Sequence, residues 1–204
     1  MKTFISKISL IATLLLSSVA LLGCDKGVDD NETQRDYIIS YLTTSHSPKL
    51  IAESELASSL DFEPAFYTPY GQYAFRYIAD FYSSSRESEK QVDSGSKVTL
   101  TFSLYGFTSS GVSTTLPLYS NDATLESSYI AAGLNTALWD FEPLEITIGE
   151  SNILSSIQDG LIGCRNGDYV EFYLTRNITY NGDITGLVSF DEAVLFICTI
   201  ENVE

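Results

Sequence analysis

Apolar residues alternate with polar ones in five separate stretches of this chain. Val98, Leu100, Phe102 and Leu104 point one way while Thr99, Thr101 and Ser103 point the other. The same period of two runs through Tyr73, Phe75 and Tyr77 towards Phe81, through Leu144, Ile146 and Ile148, and through Val170, Phe172 and Leu174. It returns in Val194, Phe196, Cys198 and Ile200. A period of two is the mark of half-buried strands, so an antiparallel sheet with one dry face is predicted.

Two stretches follow a helical period instead. Tyr37, Ile38, Tyr41 and Leu42 fall on one face, with Thr33 and Asp36 spaced like a capping box, which predicts a helix over about 34–44. Ser151 can cap a second helix in which Ile153, Leu154, Ile157 and Leu161 share a face, well placed to cover the dry side of the sheet. Between these elements, residues 45–70 carry Pro48, Pro64 and Pro69 and read as irregular, and 83–96 reads as a polar loop. Residues 106–140 read as a long excursion with a helical turn near 127–136, Gly163 to Asp168 as a turn, and 176–190 as a second excursion. The pattern predicts an α+β fold, an antiparallel sheet around a central short helix, rather than a parallel α/β fold.

The first residues change the setting. A positive start at Lys2 and an apolar run from Ile8 to Leu22 lead into Leu21-Leu22-Gly23-Cys24, the layout of an export signal. The run is about 15 residues, short of the roughly 20 that span a bilayer. A Cys after Leu-Leu-Gly resembles a bacterial lipobox, and that resemblance implies acylation at Cys24, with two or more chains holding the protein stably on a membrane. Residues 1–23 are then signal, 24–34 a flexible acidic tether, 35–94 a helix, an irregular segment and an aromatic strand, and 95–204 the main domain.

The 204 residues carry a formal charge of −16, nearer −18 once Lys2 and Lys7 leave with the signal. Such acidity argues against nucleic acid, since nothing neutralises phosphates, and keeps a displayed domain soluble. Cys164 and Cys198 are either a disulfide, which export permits, or two buried thiols. Neither redox nor zinc spacing is present, so no metal or other cofactor is expected. The single histidine, His46, lies in a polar Ser/Thr/Pro stretch and reads as solvated, which leaves a His-based triad without partners.

From Gly95 to Glu204 the order of motifs resembles the FKBP family of peptidyl-prolyl isomerases. The stretch Pro143-Leu-Glu-Ile-Thr-Ile-Gly149, then Ile153-Leu154, Gly160-Leu161 and Gly167-Asp168, is similar to that family's strand, central helix and Gly-acid turn. Ile178-Thr179-Tyr180-Asn181-Gly182 is similar to its tyrosine loop, and Val194-Leu195-Phe196 to its last strand. An acidic lipoprotein of this layout resembles those of Bacteroides-type bacteria. The resemblance implies an apolar pocket that encloses a proline ring and favours the twisted amide, against a rotation barrier of about 18–20 kcal/mol. It implies Tyr180 as a hydrogen-bond donor to the peptide, Phe196 as pocket wall, Ile153 and Leu154 at the helix start, and Leu144 in place of a strand aromatic. Ile157 stands where the family has its tryptophan floor, Leu104 where it has a tyrosine, and Asp122 is the nearest residue to its aspartate. Trp139 either replaces the missing aromatic or pins its loop.

The implied partner is a proline-containing peptide or protein segment, and the implied role is an isomerase, chaperone or foldase with a degenerate pocket on the cell envelope, at the outer membrane. A non-catalytic protein-binding lipoprotein on the same scaffold is the alternative, and a carbohydrate-binding surface lipoprotein is a third that the 13 tyrosines permit.

Overall fold

A computed structural model describes residues 30–112, 115–135, 139, 141–150, 155–175 and 192–204. Among the described residues nine strands form one sheet: β1 (Ile51–Ala52), β2 (Phe66–Pro69), β3 (Ala74–Ile78), β4 (Lys97–Thr108), β5 (Gly111–Val112), β6 (Tyr119–Ser120), β7 (Leu144–Thr147), β8 (Tyr169–Leu174) and β9 (Ala193–Val203). The order is β1-β2-β3-β8-β9-β4-β5, with β6 and β7 also on β4. Every pairing is antiparallel except β1 with β2. The helices are α1 (Asp30–Thr44), α2 (Glu126–Ala131) and α3 (Ser155–Leu161). This is the expected α+β class.

The alternation that marks the strands also divides the core in two. Val98, Leu100, Phe102 and Leu104 of β4, Val170, Phe172 and Leu174 of β8 and Phe196, Cys198 and Ile200 of β9 form one cluster, which holds Ile157 and Leu161 of α3. The intervening residues Phe75 and Tyr77 of β3, Tyr173 of β8 and Ala193 and Leu195 of β9 form a second, which holds Ile38 and Leu42 of α1. The expectation of one dry face is therefore corrected: the sheet is apolar on both sides, and each side carries a helix. Gln34, Ile38 and Leu42, spaced by four, are the buried stripe of α1. Burying side chains such as Ile38 and Leu42 contributes about 1.5–3 kcal/mol each, where a free helix of this length is marginal in water.

Other departures from the sequence reading have local causes. Residues 30–34, expected in the tether, are helical, because Gln34 begins the stripe that docks α1. The stretch 45–70 is not wholly irregular: β1 and β2 pair within it, and Glu53–Ser58 is a 3-10 helix. Pro69 ends β2 as that strand's exposed last residue, where a missing N–H is tolerated. The helical turn expected near 127–136 is α2 at Glu126–Ala131. Ser151, Ile153 and Leu154 and the excursion 176–190 lie outside the described residues.

Cys164 and Cys198 are free, buried thiols, the second of the two alternatives. Burial pushes the Cys164 thiol up to about 12 and the Cys198 thiol well above its ordinary value, which makes both poor nucleophiles.

The seating of α3 rests on one glycine. A Cβ on Gly160 would meet Phe172 Cε1 at 2.5 Å and Tyr70 Cζ at 2.8 Å. Both are ring atoms of side chains packed in the core, so neither can swing clear. Gly160→Ala is expected to destabilise the fold by about 1–3 kcal/mol through overpacking, read as a lower urea midpoint. An unchanged or higher midpoint would show that α3 does not lie this close to β8.

Candidate functional site

The described part of the α3 side of the sheet ends in an aromatic stack. Phe196 of β9 lies against Phe102 of β4, ring centroids 5.1 Å apart and planes 15° from parallel. Phe102 in turn meets Tyr119 of β6 at 5.7 Å, and Tyr119 meets Trp139 at 3.9 Å. The register explains the series: Phe102 pairs with Cys198 and Leu104 with both Phe196 and Tyr119, so these rings fall on one face of three neighbouring strands. Burial grades outwards, from Phe196 at 0% exposed to Phe102 at 5% and then to half-buried Tyr119 and Trp139.

Hydrogen bonds fix the outer rings. Trp139 donates from Nε1 to the Ser120 carbonyl (2.9 Å), which sets the plane of the indole. Asn121 is buried, accepts at Oδ1 from the Phe102 N–H (2.6 Å), and donates from Nδ2 to the carbonyls of Leu100 (2.9 Å) and Glu142 (3.1 Å). One side chain thus joins β4 to the segment after β6 and the segment before β7. Ser120 Oγ adds a bond to the Phe102 carbonyl (2.8 Å). Leu144, at the start of β7, is half-buried beside this group and pairs with Leu100.

Cations hold α3 in place. Arg76 of β3 donates to the carbonyls of Gly160 (2.7 Å) and Ile162 (2.8 Å), capping the negative end of the helix. Gln158 Oε1 accepts from the Gly149 N–H (2.8 Å) and ties the turn after β7 to the helix. Arg86 meets Asp168 through Nε and Nη2 at 2.7 and 2.9 Å, and Asp168 also accepts from the Arg165 N–H (2.7 Å). The turn that follows α3 is therefore clamped from both sides.

The residues singled out in the sequence are distributed unevenly. Phe196 and Ile157 are both fully buried in the cluster under α3, as is Leu104. Leu144 is half-buried at its rim. Tyr180, Ile153, Leu154 and Cys24 lie outside the described residues. Asp122 caps the turn at Ala123–Leu125, accepting from the Thr124 N–H (2.9 Å) and hydroxyl (2.7 Å). Trp139 does pin its loop, and its ring also lies on Tyr119. The sequence reading missed Tyr119 and Asn121, which sit in the aperiodic excursion; only the cluster of aromatics there hinted at them.

No family model and no curated protein matches this chain. Among solved structures it is similar to the N-terminal domain of FKBP42 from Arabidopsis thaliana, with 11% identity and a TM-score of 0.41, over 72% of this chain and 95% of that one. It is also similar to a multi-domain immunophilin from Arabidopsis thaliana, with 11% identity and a TM-score of 0.47, over 72% of this chain and 47% of that one. A mostly antiparallel sheet with a few helices is compatible with the α+β layout of FKBP-type domains.

The other face of the sheet holds a polar cluster that corrects the reading of His46. This histidine is 7% exposed rather than solvated. Its Nε2 lies 3.0 Å from Glu171 Oε2, its Nδ1 meets the Pro48 carbonyl, and Tyr173 donates to the same carboxylate oxygen at 2.6 Å. The rings of Tyr77, Tyr41 and Tyr173 surround it at 4.9, 6.1 and 6.5 Å. Its partners come from distant parts of the chain, so the local Ser/Thr/Pro context gave no sign of burial. The group serves to lock the turn after α1 onto β8.

Burial alone would lower the His46 pKa, but the hydrogen bonds it donates to Glu171 and to the Pro48 carbonyl, with the Glu171 charge, together raise it above 6.5. A folded pKa above the unfolded one means stability that is fully present below the unfolded value and is lost as pH rises through the folded one. His46→Asn should therefore cost more at about pH 5.5 than at about pH 8.5, on either side of the ordinary histidine range. Urea unfolding of both proteins at the two pH values checks this, and an equal loss at both would mean that the imidazole stays neutral throughout.

Proposed function

We propose that this protein is a lipid-anchored envelope protein that binds proline-containing protein segments on an FKBP-like scaffold, with little or no isomerase activity. The observation that carries the reading is the half-buried pair Tyr119 and Trp139, stacked on the buried pair Phe102 and Phe196 beside α3. A proline ring is compact and apolar and packs well on an aromatic face. Ile157 offers no such face, and Trp139, fixed by its bond to Ser120, offers one nearby. Tyr180, in the loop that resembles the family's tyrosine loop, is the proposed hydrogen-bond donor to the bound segment, with Ile153, Leu154 and Leu144 as aliphatic neighbours.

Weak catalysis follows from burial. Ile157, Phe196 and Leu104 have no exposed surface, so none of the three can wrap a substrate without rearrangement. A site that binds the planar and the twisted amide equally well gives affinity without rate. Efficient isomerisation is the second reading, supported by the resemblance around Tyr180.

Titration of the soluble chain lacking residues 1–24 with a prolyl tetrapeptide and with its alanine analogue separates these readings. The prolyl peptide should bind and the analogue should not, and Trp139→Ala should weaken binding about tenfold, or roughly 1.4 kcal/mol. Equal affinity for the two peptides would overturn the binding proposal. Acceleration of prolyl isomerisation that falls in Tyr180→Phe would favour the enzyme.

The anchor is proposed from Leu21-Leu22-Gly23-Cys24. None of the described helices is long and apolar enough to cross a membrane; acyl chains on Cys24 are the proposed attachment. Cys24→Ser should move the protein from the membrane fraction to the soluble fraction. Persistent sedimentation with membranes, at unchanged abundance, would contradict lipidation at this residue.

A further inference from the structure

Beside β2 and β3 a groove of about 420 Å³ opens at the chain reversal that follows β3. Its lining includes four aromatic rings, Phe66, Tyr77, Phe81 and Tyr82, and two carboxylates, Glu63 and Asp80. Phe66, Phe81 and Tyr82 form a mutual set: 4.9 Å with planes at 77° for Phe66 and Phe81, 5.3 Å at 84° for Phe81 and Tyr82, and 6.2 Å at 59° for Phe66 and Tyr82. Rings set edge to face in this way present electron-rich faces in several directions at once. Neither the Glu63 nor the Asp80 carboxylate has a hydrogen bond or ion pair among the described residues, so both are open to a ligand.

We infer that this groove binds a lysine or arginine side chain of a partner protein segment, flanked in that segment by apolar residues. Aromatic faces attract a desolvated cation, and free carboxylates at the same opening supply its counter-charge. Phe81 already shows this chemistry within the chain, for the Arg86 guanidinium lies 4.6 Å from its ring centre. That guanidinium is neutralised by its two bonds to Asp168 and leaves the groove without a free positive charge of its own. Burial, with the charges of Glu63 and Asp61, raises the Tyr82 hydroxyl pKa, as expected where carboxylates gather about the ring. Asp80 is held at φ +50°, a left-handed conformation uncommon outside glycine, which fixes its place between β3 and Phe81.

The flanking apolar residues of the partner are inferred from the rim. The loop that brings Glu63 and Ala65 to the groove also carries Leu60 and Phe62, which are 100% and 99% exposed. Two large side chains wholly in water beside a groove are surface that a protein segment would cover and a small organic cation would not. The charge of −16 favours a basic partner and disfavours an anionic one.

Calorimetric titration of the soluble chain with an extended pentapeptide bearing a central lysine between leucine and phenylalanine tests the inference. It should bind, and the same peptide with norleucine for lysine should bind at least about tenfold more weakly. The double variant Glu63→Gln, Asp80→Asn should lose about tenfold for the lysine peptide, together with most of the salt dependence, because Asn also tolerates the left-handed backbone at 80. Tyr82→Ala, at a ring 39% exposed, should weaken binding without disturbing the fold. Equal binding of the norleucine peptide, unchanged binding by the carboxylate variant, or no binding of the lysine peptide would overturn the inference. Tetramethylammonium binding as tightly as the peptide would assign the groove to small organic cations instead. Trp139→Ala, which tests the prolyl surface, should leave this binding unaltered.

Discussion

The sheet carries apolar side chains on both faces, and that constraint decides nearly everything else. β3, β8 and β9 each place buried apolar side chains in both clusters, so one covering helix cannot suffice. The chain meets the demand with α3 on one side and α1 on the other. Each helix is short or marginal alone, and each is held by a charge or hydrogen bond reaching it from elsewhere. Arg76 caps α3 from β3, and His46 ties the end of α1 to Glu171 of β8. β3 contributes to both arrangements, since Arg76 faces α3 while Phe75 and Tyr77 face the α1 side. The segment ahead of residue 95 is thus part of the same sheet through its pairing with β8.

The same constraint shapes the aromatic surface. A ring over the centre of a closely packed sheet is buried, as Phe196 and Phe172 are, and only rings at the margin stay accessible. Tyr119 and Trp139 are marginal because β6 is a two-residue strand on the outer edge of β4. Asn121 satisfies the backbone where β6 ends and β7 has not yet begun, so β4 keeps its partners although its neighbour changes. An edge divided in this way places an indole at the rim without leaving β4 polar groups exposed to apolar surroundings.

What the sequence disclosed and what it hid follow from range. The strands at Val98–Leu104, Leu144–Ile148, Val170–Leu174 and Val194–Ile200 were legible because a period of two is a local property. The stripe of α1 and the face shared by Ile157 and Leu161 were legible for the same reason. The burial of His46, the junction at Asn121 and the pairing of β3 with β8 depend on residues far away in sequence, and no local pattern encodes them. The second dry face was half visible: Leu195, Ile197 and Tyr173 stand at the positions between the counted ones, but alternation draws attention to one set alone. For the site, Phe196, Ile157 and Leu144 were named from resemblance, whereas Tyr119 entered only through contacts.

Two surfaces of unlike chemistry then arise from one architectural fact. The α3 margin is aromatic and lined by backbone-satisfying amides, suited to a neutral apolar ring. The groove past β3 is aromatic and acidic, suited to a cation. They share no lining residue, and β9, β8 and β3 lie between β4 and the strand that carries Phe66. A single extended partner could meet both only by crossing the sheet, whereas two short segments need no such path. On the proposed prolyl surface and the inferred cation groove, the scaffold would suit a folded or looped partner that offers a proline turn and a basic side chain separately. If Cys24 carries acyl chains as proposed, the protein would meet such a partner at high local concentration, and neither contact would have to be strong alone.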